Sequence, residues 1–123
     1  MAQDEYNPFE GFKVISTYTD ADAVDDGVLV AVAAKDRVTR GVWDYLCSRV
    51  PLDNVAPEEI DNKRHDHALF ASGRMIGQNA LQARQVYNQN IDGGIFTLIE
   101  QGRKFWIMPN ELGGLTLMFP EDY

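Results

Sequence analysis

The sequence predicts an α+β protein, with short strands near its start, three helices in the middle and an antiparallel β-meander at its end. Three observations carry that reading. VLVAVA, residues 28–33, is apolar at every position, as in a strand covered on both faces. Residues 35–90 place apolar side chains at helical spacings between turn signals. IFTLIE and RKFWIM, residues 95–100 and 103–108, are strand-like runs joined by Gln101-Gly102, and a two-residue connection with Gly second suits a hairpin. At 123 residues the chain has the size of one domain. Residues 1–11, punctuated by Pro8 and Gly11, read as a flexible arm, and residues 12–123 as the domain.

FKVISTY, residues 12–18, alternates β-branched and polar residues and reads as a short strand. Thr19 then suits a helix N-cap, with Asp22 three residues on to complete a capping box. Asp20 and Asp22 fall in the first turn, where the positive end of the helix dipole favours them. Ala21 and Val24 share a face expected to meet the core, and Gly27 is placed to end the helix. KDRVTRGVWDYLCSRVP, residues 35–51, is the clearest helix. Asp36 is its expected cap, and Val38, Val42, Tyr45, Leu46 and Val50 form one stripe that stops at Pro51. Pro57, Glu58 and Glu59 mark the start of a second helix over residues 57–72. Gly73 ends or bends it, and a third, over 74–90, puts Ile76, Ala80, Ala83 and Tyr87 on one stripe. In the hairpin, the expected register pairs Glu100 with Arg103, Leu98 with Phe105 and Phe96 with Ile107. Both faces come out largely apolar, so a second subunit could cover the one the helices leave bare, and a homodimer is one expectation. LTLMF, residues 115–119, is the last strand, closed by Pro120.

Eleven Lys and Arg against nineteen Asp and Glu leave a net charge of −8. Residues 1–26 hold seven acids and one base, a net of −6; the remaining 97 hold twelve acids and ten bases, a net of −2. This balance argues against a direct grip on nucleic acid, which needs Lys and Arg to displace counterions from phosphates. It fits a protein partner with a basic surface. No apolar run approaches the roughly 20 residues that span a membrane. With an acidic, polar start and a single cysteine, Cys47, the expected compartment is the cytoplasm.

Four aspartates, Asp20, Asp22, Asp25 and Asp26, lie within seven positions. They do not follow the calcium-loop pattern. With Asp20 first, the fifth position is Val24, the sixth is Asp25 rather than Gly, and the twelfth is Ala31. They read instead as a capped, wet helix able to contact a cationic protein. His65 and His67 are the only histidines. On a helix they diverge by about 200° and no third ligand is specified, so no metal is assigned to them; a hydrolase or metal-dependent enzyme using His65 and His67 is a third reading. Cys47 lies mid-helix, where a structural thiol is expected. Gly93-Gly94 and Gly113-Gly114 belong to no phosphate-binding fingerprint, so no cofactor and no catalytic residue is assigned. Arg37, Arg40 and Trp43 form a small basic and aromatic group, tempered by Asp36 and Asp44. They are the expected ligand-binding residues of an alternative reading, a small-molecule or nucleotide pocket at a homo-oligomer interface.

Two stretches carry a family likeness. YTDADAVDDGVLV, Tyr18–Val30, and LTLMFPEDY, Leu115–Tyr123, with VWDYL, Val42–Leu46, between them, resemble a family of small uncharacterised proteins of bacteria, phages and plasmids. The first stretch is similar to its Tyr, Ser/Thr, paired-Ala, Asp-Gly pattern leading into an aliphatic strand. The second is similar to its closing Thr-x-Met-x-Pro-Glu-Asp signature. The resemblance covers about a quarter of the chain and implies a setting rather than a mechanism: an accessory protein of a phage or mobile element that binds another macromolecule. The acidic charge of residues 1–26 makes a basic host protein the expected partner.

Overall fold

The structure is a computed structural model that describes residues 18–123; the expected arm over 1–11 and all but the last residue of the expected strand over 12–18 lie outside that range. The architecture is α+β. Among the described residues five strands form one sheet: β1 (Leu29–Ala31), β2 (Arg37–Thr39), β3 (Phe96–Glu100), β4 (Arg103–Pro109) and β5 (Leu115–Met118), in the order β1-β2-β5-β4-β3. The helices are α1 (Asp20–Asp25), α2 (Arg40–Ser48) and α3 (Ile60–Asn88). Among the described residues only the β2–β5 pair is parallel. The C-terminal half is the expected antiparallel meander, and the hairpin register matches residue for residue: Phe96 with Ile107, Leu98 with Phe105, Glu100 with Arg103. Gln101 and Gly102 both have positive φ, 51° and 79°, as a two-residue turn matched to the strand twist requires.

One sheet face builds the core. Val38, Phe105, Ile107, Leu115 and Leu117 are at most 1% exposed and meet Val42, Trp43 and Leu46 from α2 and Ala68, Ala71, Met75, Ile76 and Ala83 from α3. Tyr45 and Phe119 close one end around Phe105, with ring centroids 5.1–6.1 Å apart.

Local expectations gave way at three places. The helix foreseen over 35–51 begins only at Arg40, because Arg37–Thr39 join the sheet between β1 and β5. Asp36 is therefore no cap; its Oδ1 accepts the Leu115 amide at 3.0 Å and ties the start of β2 to β5. The helices foreseen over 57–72 and 74–90 are one helix of 29 residues, preceded by a 3-10 turn at Pro57–Glu59. Gly73 does not end it, and the buried stripe Ala68, Ser72, Met75, Ile76, Ala83 continues past it. VLVAVA supplies only a three-residue edge strand whose residues are half-buried or exposed, since no strand flanks β1 on its outer side among the described residues.

Candidate functional site

Side chains alternate across a strand, so with Val38 and Leu117 in the core, their neighbours Arg37 and Thr116 face the other side of the sheet. Their backbones are adjacent in register, and both side chains are buried. Arg37 meets α1 there through Asp20, and the Thr116 hydroxyl accepts from Asn110 Nδ2 at 3.2 Å. Thr19 caps α1 as expected: Oγ1 accepts the Asp22 amide at 3.2 Å, while the Asp22 carboxylate accepts the Thr19 amide at 3.1 Å. The face turned to the sheet differs from expectation. Ala23 is buried, Val24 half-buried and Ala21 exposed. The helix is oriented by Asp20, whose carboxylate receives the Arg37 guanidinium through Nε at 3.0 Å and Nη2 at 3.1 Å.

That ion pair divides the aspartate cluster. Asp20 is 13% exposed and Arg37 11%, and Arg37 Nη1 is further committed to the carbonyls of Ala33 and Asp36 at 3.0 and 2.9 Å. The expectation of four wet carboxylates therefore holds for three: Asp20 is an anchor. Asp22, Asp25 and Asp26 are exposed. Asp26 accepts the Tyr18 hydroxyl at 3.0 Å, and Asp25 accepts no hydrogen bond among the described residues. Loss of hydration, then the hydrogen bond to Asp26 and the charges of Asp26 and Asp22, push the Tyr18 phenol above its ordinary value. The phenol therefore keeps its proton, donated to Asp26, throughout the neutral range.

Arg37, Arg40 and Trp43 do not converge. Arg37 is spent on Asp20. Arg40 lies at the other end of α1, where Nε donates to the Gly27 carbonyl at 3.0 Å and Nη1 stands 3.8 Å from Asp44. Trp43 is buried beneath His65, ring centroids 5.3 Å apart and edge-on. His65 is exposed beside Asp66, whereas His67 turns toward a separate hollow with Tyr45, Arg74 and Glu100. The described residues hold no group of three His, Cys, Asp or Glu side chains placed to bind a metal. Cys47 is half-buried, its Sγ 3.7 Å from the Arg64 carbonyl; burial first, then the charge of Asp44, push its thiol up.

A groove of about 400 Å³ opens between α1 and the loop before β5, bordered by Tyr18, Asp20, Leu29, Asn110, Glu111 and Thr116. Glu111 reaches back to accept the Asp20 amide at 3.2 Å. Asn110 shapes the loop: its side-chain Oδ1 accepts the amides of Leu112 and Gly114, both at 3.0 Å, and its Nδ2 donates to the Lys35 carbonyl at 2.9 Å. Neither residue stood out in the sequence. The available signal was Asn in a turn-rich PNELGG segment, where Asn bonds its own backbone two residues on; nothing local connects residue 110 to residue 20. Among the described residues no helix is long and apolar enough to cross a membrane. Comparison of the chain with protein-family models, with curated proteins and with solved structures finds no match.

Proposed function

We propose that this chain is a non-enzymatic binding protein, an accessory protein of a phage or mobile element, whose α1 presents carboxylates to a basic protein partner. One observation carries the reading: Asp22, Asp25 and Asp26 stand in water on a helix whose fourth aspartate locks it to the sheet. A preorganised acidic helix loses little freedom on binding, and charge complementarity accelerates encounter and suppresses wrong partners. The net charge of −8 favours cationic surfaces over nucleic acid. The test uses Asp25→Asn/Asp26→Asn, which leaves the anchor and the capping box in place. Immobilised protein is exposed to bacterial lysate at low and high salt. The expected result is a basic protein retained at low salt, released by high salt and lost in the double variant. Retention of the same protein by the variant, or retention indifferent to salt, would overturn the proposal.

The groove beside α1 favours a second reading, a small-molecule or nucleotide-binding protein. It differs from the first in that Arg37 offers no free donor fork there, so the ligand would rest on Leu29, Val28 and Asn110. A thermal-shift screen with nucleotides separates the two, since stabilisation by a saturating ligand is expected only under the second.

A further inference from the structure

The outer face of α3 has no partner among the described residues. Phe70 and Leu81 are each 71% exposed, on a helix whose opposite side buries Ala68, Ala71, Ser72, Met75 and Ala83. Neither the hairpin nor the α1 site uses them. At 100° per residue, Asp66, Phe70, Gly73, Gly77, Leu81 and Arg84 fall within an arc of about 80°. Gly73 and Gly77 lie between the two apolar side chains, and a Cβ at either would meet nothing within 4 Å.

The order of these residues is close to symmetric about Met75. Asp66 and Arg84 stand nine residues to either side, Gly73 and Gly77 two, Phe70 five and Leu81 six. A two-fold interface requires a patch that is its own complement, and an antiparallel pairing of two such helices meets that requirement. Phe70 of each copy comes over Leu81 of the other, the glycines face one another and let the axes approach closely, and Asp66 of each copy meets Arg84 of the other. Asp66 is 80% exposed on its side chain, with only His65 at 3.7 Å. Arg84 gives one bond to the Gly113 carbonyl at 3.1 Å through Nη2, which leaves its remaining donors for a carboxylate. A parallel pairing would instead set Asp66 against Asp66 and Arg84 against Arg84.

We infer that the outer face of α3 is a self-association surface, on which a second copy of this chain docks antiparallel through Phe70, Leu81 and reciprocal Asp66–Arg84 ion pairs. The contact runs from residue 66 to residue 84, about 28 Å of helix. That is small beside the total of about 1,200–2,000 Å² typical of stable interfaces, so the dimer dissociates on dilution. It lies apart from α1 and does not depend on the reading of the acidic helix.

Sedimentation equilibrium over a range of protein concentrations tests it. The wild type is expected to shift from monomer to dimer as concentration rises. Phe70→Glu/Leu81→Glu is expected to weaken association about a hundredfold or more, with an unchanged circular dichroism spectrum because both sites are exposed. Asp66→Arg and Arg84→Asp are each expected to weaken it several-fold. The double reversal, Asp66→Arg/Arg84→Asp, is expected to restore it, because every swapped pair is again of opposite charge. A wild type that stays monomeric at every concentration overturns the inference. So does a dimer unaffected by these variants, or one that the double reversal fails to restore. If the glutamate variant does not fold, the charge series alone decides.

Discussion

Arg37 shows how one side chain can change the meaning of its neighbours. In a basic and aromatic stretch, residues 35–43, it looks like a free cation. In the fold it is a strand residue that pulls Asp20 out of water. Breaking such a pair strands a charge where hydration is poor. Asp20→Ala is expected to cost about 3 kcal/mol, whereas replacing both partners by apolar residues of similar size, Asp20→Leu/Arg37→Met, should recover most of that loss. Urea unfolding midpoints of the three proteins check this; a single variant as mild as a surface pair, about 0–1 kcal/mol, would mean that the pair is solvated. The capping role of Asp22 was readable from Thr19-x-x-Asp22 because a cap is made within four residues. The anchoring role of Asp20 was not, since its partner lies 17 residues away on a strand that the local pattern assigned to a helix.

Elements whose stabilising contacts are local were legible, and those defined by distant neighbours were not. The β3–β4 hairpin follows from its turn residues and alternation, and its register leaves no choice once Gln101-Gly102 is the turn. By contrast Gly73 reads as a boundary, yet α3 continues through it. Helix interiors tolerate Gly at about 1 kcal/mol relative to Ala, and the apolar stripe on both sides outweighs that cost. Because the site opens to solvent, Gly73→Ala is expected to raise stability by up to about 1 kcal/mol. Thermal denaturation at a dilution that keeps the chain monomeric measures it. A lowered midpoint would show that something already occupies the space beside Gly73. The strand β2 fails the other way: RVT lies on a good helical stripe, but pairing with β1 and β5 satisfies its backbone and buries Val38 completely.

In the whole molecule, stability is concentrated where α3 crosses β4 and β5, and it thins toward β1 and α1. The buried side chains cluster on the first and are sparse on the second. Native-state hydrogen exchange should therefore find the amides of β4, β5 and central α3 opening only with global unfolding, and those of β1 and α1 exchanging earlier. Equal protection in β1 and β5 would contradict this distribution. By itself the sequence determined the α+β class, the capped acidic helix, the terminal meander and its register, because each rests on periodicity, caps or turns within a few residues. Only the tertiary structure decided that residues 37–39 pair between two strands, that one long helix spans Gly73, that Asp20 is an anchor while three aspartates remain wet, and that Phe70 and Leu81 share an open face. Each of those outcomes turns on which surfaces are covered, and coverage is set by contacts between residues far apart along the chain.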